Sequence, residues 1–294
     1  MTFKNRKAAV AGYTLMLTLL VSAAFSIRPL EGAHFARLPS STYGASDLCR
    51  LDWKGFQEKL ESRGNLLTFE NPGGPMGIGL CWWHSRFQRN ANYLTEFSHG
   101  ERSGELDKKA IKKIISGDAV VSIAGHGNLE QFSTEHHARI AESLGNWQLT
   151  DSFLKQTWIR GAFMGSSHPS ADELKKQMEN LYDKVAVKKF VIFQMLQMRG
   201  TAAHAWLVKG MSKTESGYRL RVLDSNLPNQ LYDVDYSAGD REVVAGPFAA
   251  DYPRFAPDTQ RSSNLLDYEK ALRKHCKSKG GESPLAKILS SDLK

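Results

Sequence analysis

The chain has 294 residues, of which 41% are apolar and 10% aromatic, enough to bury a sizeable core in one domain or two closely packed lobes. Charged residues make up 24%, which excludes disorder over the whole length. The net charge of +8 falls to +5 if Lys4, Arg6 and Lys7 leave with residues 1–23, and no basic stripe, helix-turn-helix or zinc-finger spacing is present, so nucleic acid is excluded as a partner.

Lys4, Arg6 and Lys7 precede an uncharged apolar run from Ala8 to Ile27, which is the layout of a secretory leader. Val21-Ser22-Ala23 offers small residues for cleavage, and Ser26 marks a second position. Residues 1–26 are therefore expected to be a signal peptide. Left uncut, residues 8–27 would associate with the membrane as an anchor, being near the roughly 20 residues a spanning helix needs. Both outcomes put the bulk of the chain outside the cytoplasm, secreted or periplasmic. The residual positive charge would favour anionic envelope surfaces.

A lead-in segment, 27–64, begins irregularly and ends in a short helix over Leu51 to Arg63, with Trp53, Phe56 and Leu60 on one side. The Gly/Pro-rich loop 71–79 then delivers Gly79-Leu80-Cys81-Trp82-Trp83-His84. Trp83, Phe87, Ala91 and Leu94 recur with helical spacing. A helix is expected from Cys81 to about Phe97, ended by His99-Gly100. Glu105 to Ser116 is amphipathic, its lysines facing water, and Ala119 to Ala124 reads as a short buried strand. Gly125-His126-Gly127 reads as a turn. Ser133 to Trp147 reads as a helix capped by Ser133, with Phe132 as a hydrophobic staple. Within it His136-His137 has no partner at metal-ligand spacing and reads as interfacial. Residues 151–163 continue the helical pattern, and Ser170-Ala171-Asp172-Glu173 has the form of a capping box.

The period then changes. Phe190 to Phe193 reads as a strand. His204 to Gly210 and Tyr218 to Asp224 read as two strands joined by the polar turn Ser212 to Gly217. Further strands are expected near Gln230–Val234 and Glu242–Val244, a loop over 251–264, a helix from Leu265 to Lys277, and a flexible tail over 278–294. The fold class is α+β: one domain over 65–277, with a helical part at about 65–188 and an antiparallel sheet part at about 189–250.

Three cysteines, Cys49, Cys81 and Cys276, leave one unpaired in an oxidising compartment. The simplest partition joins Cys49 to Cys276 and frees Cys81; two further free thiols are the alternative. Cys81 opens a helix, where unpaired N–H groups and the positive end of the macrodipole favour a thiolate, the nucleophilic form. Such a nucleophile needs a base, and the base an orienting acceptor. His204 opens one strand and Asp224 closes the next, sharing parity with Tyr218, Leu220 and Val222, so an aspartate there can meet the imidazole across the hairpin. Asn226 has the same parity and is the alternative orienter. Cys81 and His84 have Cys-x-x-His spacing, but a single pair does not make a metal site, and none is expected.

These residues carry a resemblance. Cys81-Trp82 at a helix start, His204-Ala205 opening a strand and Asp224-Ser225-Asn226 ending the following one resemble the papain-like cysteine peptidases, over roughly residues 65–235. The resemblance implies a helical lobe that carries the nucleophile helix, packed on an antiparallel sheet lobe. It implies an exported hydrolase that cleaves an amide bond through a thioacyl-enzyme on Cys81, with His204 as base and Asp224 as orienter. The substrate would be a protein, a peptide or a cell-wall peptide, and no cofactor is implied. Where papain-type enzymes carry an oxyanion-binding glutamine, six residues before the cysteine, this chain has Pro75; Asn71 is the nearest upstream amide to serve with the Cys81 backbone N–H. His204-Ala205-Trp206 is also similar to transglutaminase-like proteins, which implies acyl transfer to an amine as the alternative. A catalytically inactive papain-like binding module of the cell envelope is the third reading.

Overall fold

The computed structural model describes residues 35–37, 47–71, 73, 79–98, 100–101, 104–155, 170–187, 192–197, 203–228, 230–244, 251–252, 254–257 and 261–291. The expected leader 1–26, Pro75 and residues 156–163 of the expected helix 151–163 lie outside them. Among the described residues no helix is long and apolar enough to cross a membrane.

In chain order the elements are strand β1 (Phe35–Arg37), helix α1 (Trp53–Glu61), helix α2 (Cys81–Leu94), strand β2 (Thr95–Ser98), helix α3 (Gly104–Ser116), strand β3 (Val121–Ala124), helix α4 (Leu129–Glu135) and helix α5 (His137–Lys155). Then come helix α6 (Ala171–Tyr182), strands β4 (Ile192–Gln197), β5 (Ala203–Lys213), β6 (Gly217–Asp224), β7 (Gln230–Ser237), β8 (Val243–Val244), β9 (Asp251–Tyr252) and β10 (Arg254–Pro257), and helices α7 (Arg261–Ser278) and α8 (Pro284–Ser291). The class is mixed α+β. A six-stranded sheet runs in the order β1-β7-β6-β5-β4-β10, antiparallel throughout, while β2 and β3 form a separate parallel pair.

Helix α2 is the hub. From Trp83 to Leu94 every residue is buried, although many are polar. A buried polar group needs a partner, and Gln88 and Asn90 find theirs in the surrounding segments. Gln88 donates to Asn65 O at 2.8 Å and accepts from Leu67 N at 2.7 Å; Asn90 donates to Ile114 O at 2.7 Å and accepts from the Tyr268 hydroxyl. One core lies on the sheet side, built from Tyr93, Leu94, Trp206, Val222, Leu272 and their neighbours. The other joins Trp83, Phe87 and Ala91 to α3, β3, α4 and α5. Cys81 sits at the N-terminus of this helix and packs on the sheet-side core.

Five expectations need correction. Helix α2 stops at Leu94 rather than near Phe97. Thr95 Oγ1 donates to Ala91 O at 2.7 Å and Lys59 Nζ to Asn92 O at 2.9 Å, which satisfies carbonyls at the end of the helix, and Thr95–Ser98 pairs with Val121–Ala124 instead. The helix expected from Ser133 to Trp147 is two helices that break at His136. The cap is Asn128, whose side chain accepts from Gln131 N, and not Ser133. The lead-in is not separate: β1 is an edge of the sheet, Cys49 is bonded to Cys276, and Leu48, Phe56 and Leu60 are fully buried. The expected loop 251–264 contains β9, β10 and the start of α7, and β10 extends the sheet. The expected flexible tail carries α8, with Leu285, Ala286 and Leu289 fully buried. Gly280, at φ +77°, makes the reversal that returns the chain to the core, and Ser283 caps the new helix by accepting from Ala286 N at 3.1 Å. The Ser170 capping box forms as expected.

Candidate active site

Strands β5, β6 and β7 each contribute to one buried cluster. Trp206 lies directly opposite Asp224 in the β5–β6 register, so their side chains share a face. His204, two residues before Trp206, has the same parity. His204 Nε2 lies 2.7 Å from Asp224 Oδ1, and Trp206 Nε1 donates to Asp224 Oδ2 at 2.9 Å. From β7, Tyr232 opposes Val222 and sends its hydroxyl diagonally to Asp224 Oδ2 at 2.9 Å. The Asn226 backbone N–H closes the set at 2.8 Å from Oδ1. The carboxylate therefore has four donors, and Asp224 rather than Asn226 is the observed partner of His204.

Cys81 completes the line from the helical side. Its sulfur lies close enough to the His204 imidazole to act on the charge of that ring. Because Nε2 is held by Asp224, Nδ1 is the ring nitrogen left for another partner. Burial lowers the His204 pKa, but the charge and hydrogen bond of Asp224, reinforced by Cys81, outweigh it and raise it to about 10. Burial likewise works against the Asp224 carboxylate, and the His204 charge with the hydrogen bonds from His204, Asn226 and Tyr232 overcomes it, leaving the group below its ordinary value. Cys81 is a half-buried free thiol, so the sulfur end of the line is the end nearer to solvent.

The approach to Cys81 is braced from both lobes. Asn71 Oδ1 accepts from Leu80 N at 2.6 Å, and Nδ2 donates to Asn226 Oδ1 at 3.1 Å. Its own backbone N–H donates to Ser225 O at 2.7 Å. Asn71 thus ties the residue before Cys81 to the turn after Asp224. The amide considered as an oxyanion donor is engaged in this brace. On the other side Gln148 Nε2 donates to Gly79 O at 3.3 Å, while Trp83 Nε1 and Arg86 both donate to Asp151 of α5. The Cys81 backbone N–H belongs to the first turn of α2, which no intrahelical carbonyl can reach.

His84, one turn beyond Cys81, does a different job. Its Nε2 lies 3.1 Å from Phe69 O and donates to it, so that nitrogen is not turned to Cys81 as a metal pair would require. Burial lowers its pKa to about 4, against the opposing effects of the Phe69 carbonyl and the Asp224 charge. It is neutral where His204 is charged.

The sequence reading identified Cys81, His204 and Asp224, and the fold brings these together. It missed Tyr232 and Trp206 as donors to Asp224, and Asn71 as a brace. Trp206 had a signal in its parity with His204; Tyr232 and Asn71 had none, because register across β6–β7 and loop packing are not local properties. No family model matches the chain, nor does any curated protein or solved structure.

Proposed function

We propose that the chain is an exported cysteine hydrolase of papain-like organisation, which cleaves an amide bond through a thioacyl-enzyme on Cys81. The observation that carries this reading is that one imidazole, His204, bonds a four-donor buried carboxylate through Nε2 and has the free Cys81 thiol as its other neighbour. Export is supported by the Cys49–Cys276 disulfide beside a free Cys81, since disulfides persist in oxidising compartments.

In this mechanism His204 already holds the proton given up by Cys81, and the thiolate adds to the carbonyl carbon of the scissile amide. The oxygen becomes an oxyanion near the Cys81 backbone N–H. The C–N bond breaks as His204 returns its proton to the departing amine. Water then gives a proton to His204, attacks the thioester and releases a carboxylic acid with the thiol restored. Asp224 stays ionised and holds the imidazole in register.

The test offers a peptide library and purified cell-wall fragments, with and without excess primary amine, to the wild type and to Cys81→Ala. New amine and carboxyl termini that form only with the wild type are expected. Amine incorporation without cleavage would replace hydrolysis by transglutaminase-like transfer. Absence of any Cys81-dependent product under reducing conditions would leave a binding module.

A further inference from the structure

The helical side of the molecule holds a second group of imidazoles and carboxylates that the proposed reaction does not use. Asp107 comes from α3, His126 from the turn after β3, Glu135 from the last residue of α4, and His136 from the break between α4 and α5. One ligand atom each from Asp107, His126 and His136 lies within 4.8 Å of the others. His136 Nε2 is 3.1 Å from Asp107 Oδ2, and His126 Nε2 is 3.4 Å from Glu135 Oε2. These spacings are close to the roughly 3.3 Å edge of a tetrahedron whose metal–ligand bonds are about 2.05 Å.

The hydrogen bonding is what points to an ion. The His126 side chain is 0% exposed, yet neither its Nε2 nor that of His136 makes a hydrogen bond among the described residues. Leaving buried polar nitrogens unbonded is costly in a protein interior. His126 Nδ1 lies 3.2 Å from Ala124 O and donates to it, which leaves the Nε2 lone pair directed into the cluster. This is the outer-shell arrangement that fixes the tautomer of a metal-binding histidine. Gly125, at φ +78°, supplies the backbone reversal before His126. Phe132 packs edge-on to both imidazoles, with centroids 5.2 and 4.9 Å away, and supplies an apolar wall. Glu135 is half-exposed and provides the path to solvent.

We propose that Asp107, His126 and His136 form a zinc site whose fourth position faces solvent beside Glu135. Two imidazole nitrogens and one carboxylate oxygen suit a tetrahedral divalent ion with no geometric demand of its own, with water or the Glu135 carboxylate taking the fourth position. The ion would pin α3, the β3 turn and the α4–α5 break together. Helix α5, which starts beside His136, is the element whose Gln148 and Asp151 hold the start of α2.

The test uses full-length protein stripped with a chelator and titrated with zinc chloride by calorimetry, with the bound metal then counted. About one equivalent per chain is expected, with a dissociation constant below about 1 μM. Cys81→Ala should keep it, and so should His137→Ala, whose ring stacks on Phe69 instead. His126→Ala and His136→Ala should each weaken binding by more than the roughly 10–100-fold that loss of an outer-shell partner costs. If those variants do not fold, cobalt substitution of the wild type decides: tetrahedral d–d bands without sulfur charge transfer support the site. No stoichiometric uptake by the wild type, uptake that survives His126→Ala, or sulfur ligation that disappears in Cys81→Ala would overturn it.

Discussion

Two buried imidazole–carboxylate groups, one on the sheet and one among the helices, are satisfied in opposite ways. Asp224 receives four hydrogen bonds, from His204, Trp206, Tyr232 and the Asn226 backbone. In the Asp107–His126–His136 group it is the two Nε2 atoms that lack hydrogen bonds among the described residues. A carboxylate saturated with donors stays ionised and holds a neighbouring imidazole in its charged form, which suits the handling of a proton. Imidazole lone pairs that converge without donors suit a cation. The same residue types thus serve different chemistry, according to which partner the fold leaves unsatisfied.

The sharpest way to break this comparison is Asp224→Asn. The amide keeps the shape but not the charge, so turnover of an amide substrate should fall on the order of 10³–10⁴-fold, as for loss of the orienting carboxylate of a nucleophile–histidine triad. A loss below about tenfold, measured by steady-state kinetics, would mean that the carboxylate serves only structure.

The next effect is on stability against pH, and it sets His84 against His204. His84 has a folded pKa of about 4 against an ordinary 6.5, so the unfolded chain binds its proton first. Stability from this group is complete above pH 6.5 and is lost as pH falls through about 4, by roughly 3 kcal/mol. His84→Gln, which keeps a donor for Phe69 O, should flatten that acid limb in urea titrations at pH 7 and pH 4. His204 has the opposite sign. Its folded pKa of about 10 lies above 6.5, so its contribution is complete below pH 6.5 and is lost as pH rises through 10. Asp224→Asn should remove that alkaline limb. An acid limb unchanged in His84→Gln would refute the assignment.

The smallest effect tests the saturation of Asp224 itself. Tyr232→Phe removes one donor to a charged oxygen with little change of shape and should cost about 2 kcal/mol in urea unfolding. Paired with Trp206→Phe in a double-mutant cycle, the two should be non-additive, since both donate to Oδ2. Full additivity would show that the two donors act independently.

Much of the local structure was legible in the sequence. Apolar spacing placed α1, α3 and α6, the Ser170 box placed a helix start, and alternation placed the β5–β6 hairpin. The candidate site was legible in three residues, Cys81, His204 and Asp224, because each stands at the end of an element whose period can be read locally. What failed was decided by partners distant along the chain. The end of α2 depends on Lys59 and on β3, the tail helix α8 on its burial against the core, and the zinc-site proposal on three residues from different parts of the chain.

The sequence by itself determined the residue types at the ends of these elements, the parity that puts His204, Trp206 and Asp224 on one face, and the single odd cysteine. Only the tertiary structure decided that Tyr232 and Asn226 would complete the hydrogen bonding of Asp224, that Asn71 would brace the residue before Cys81, and that His126 and His136 would converge. Periodicity and capping arise from interactions a few residues apart, which a sequence displays directly. Satisfaction of buried polar groups is a property of the whole packed interior, and which donor meets which acceptor exists only once the chain has folded.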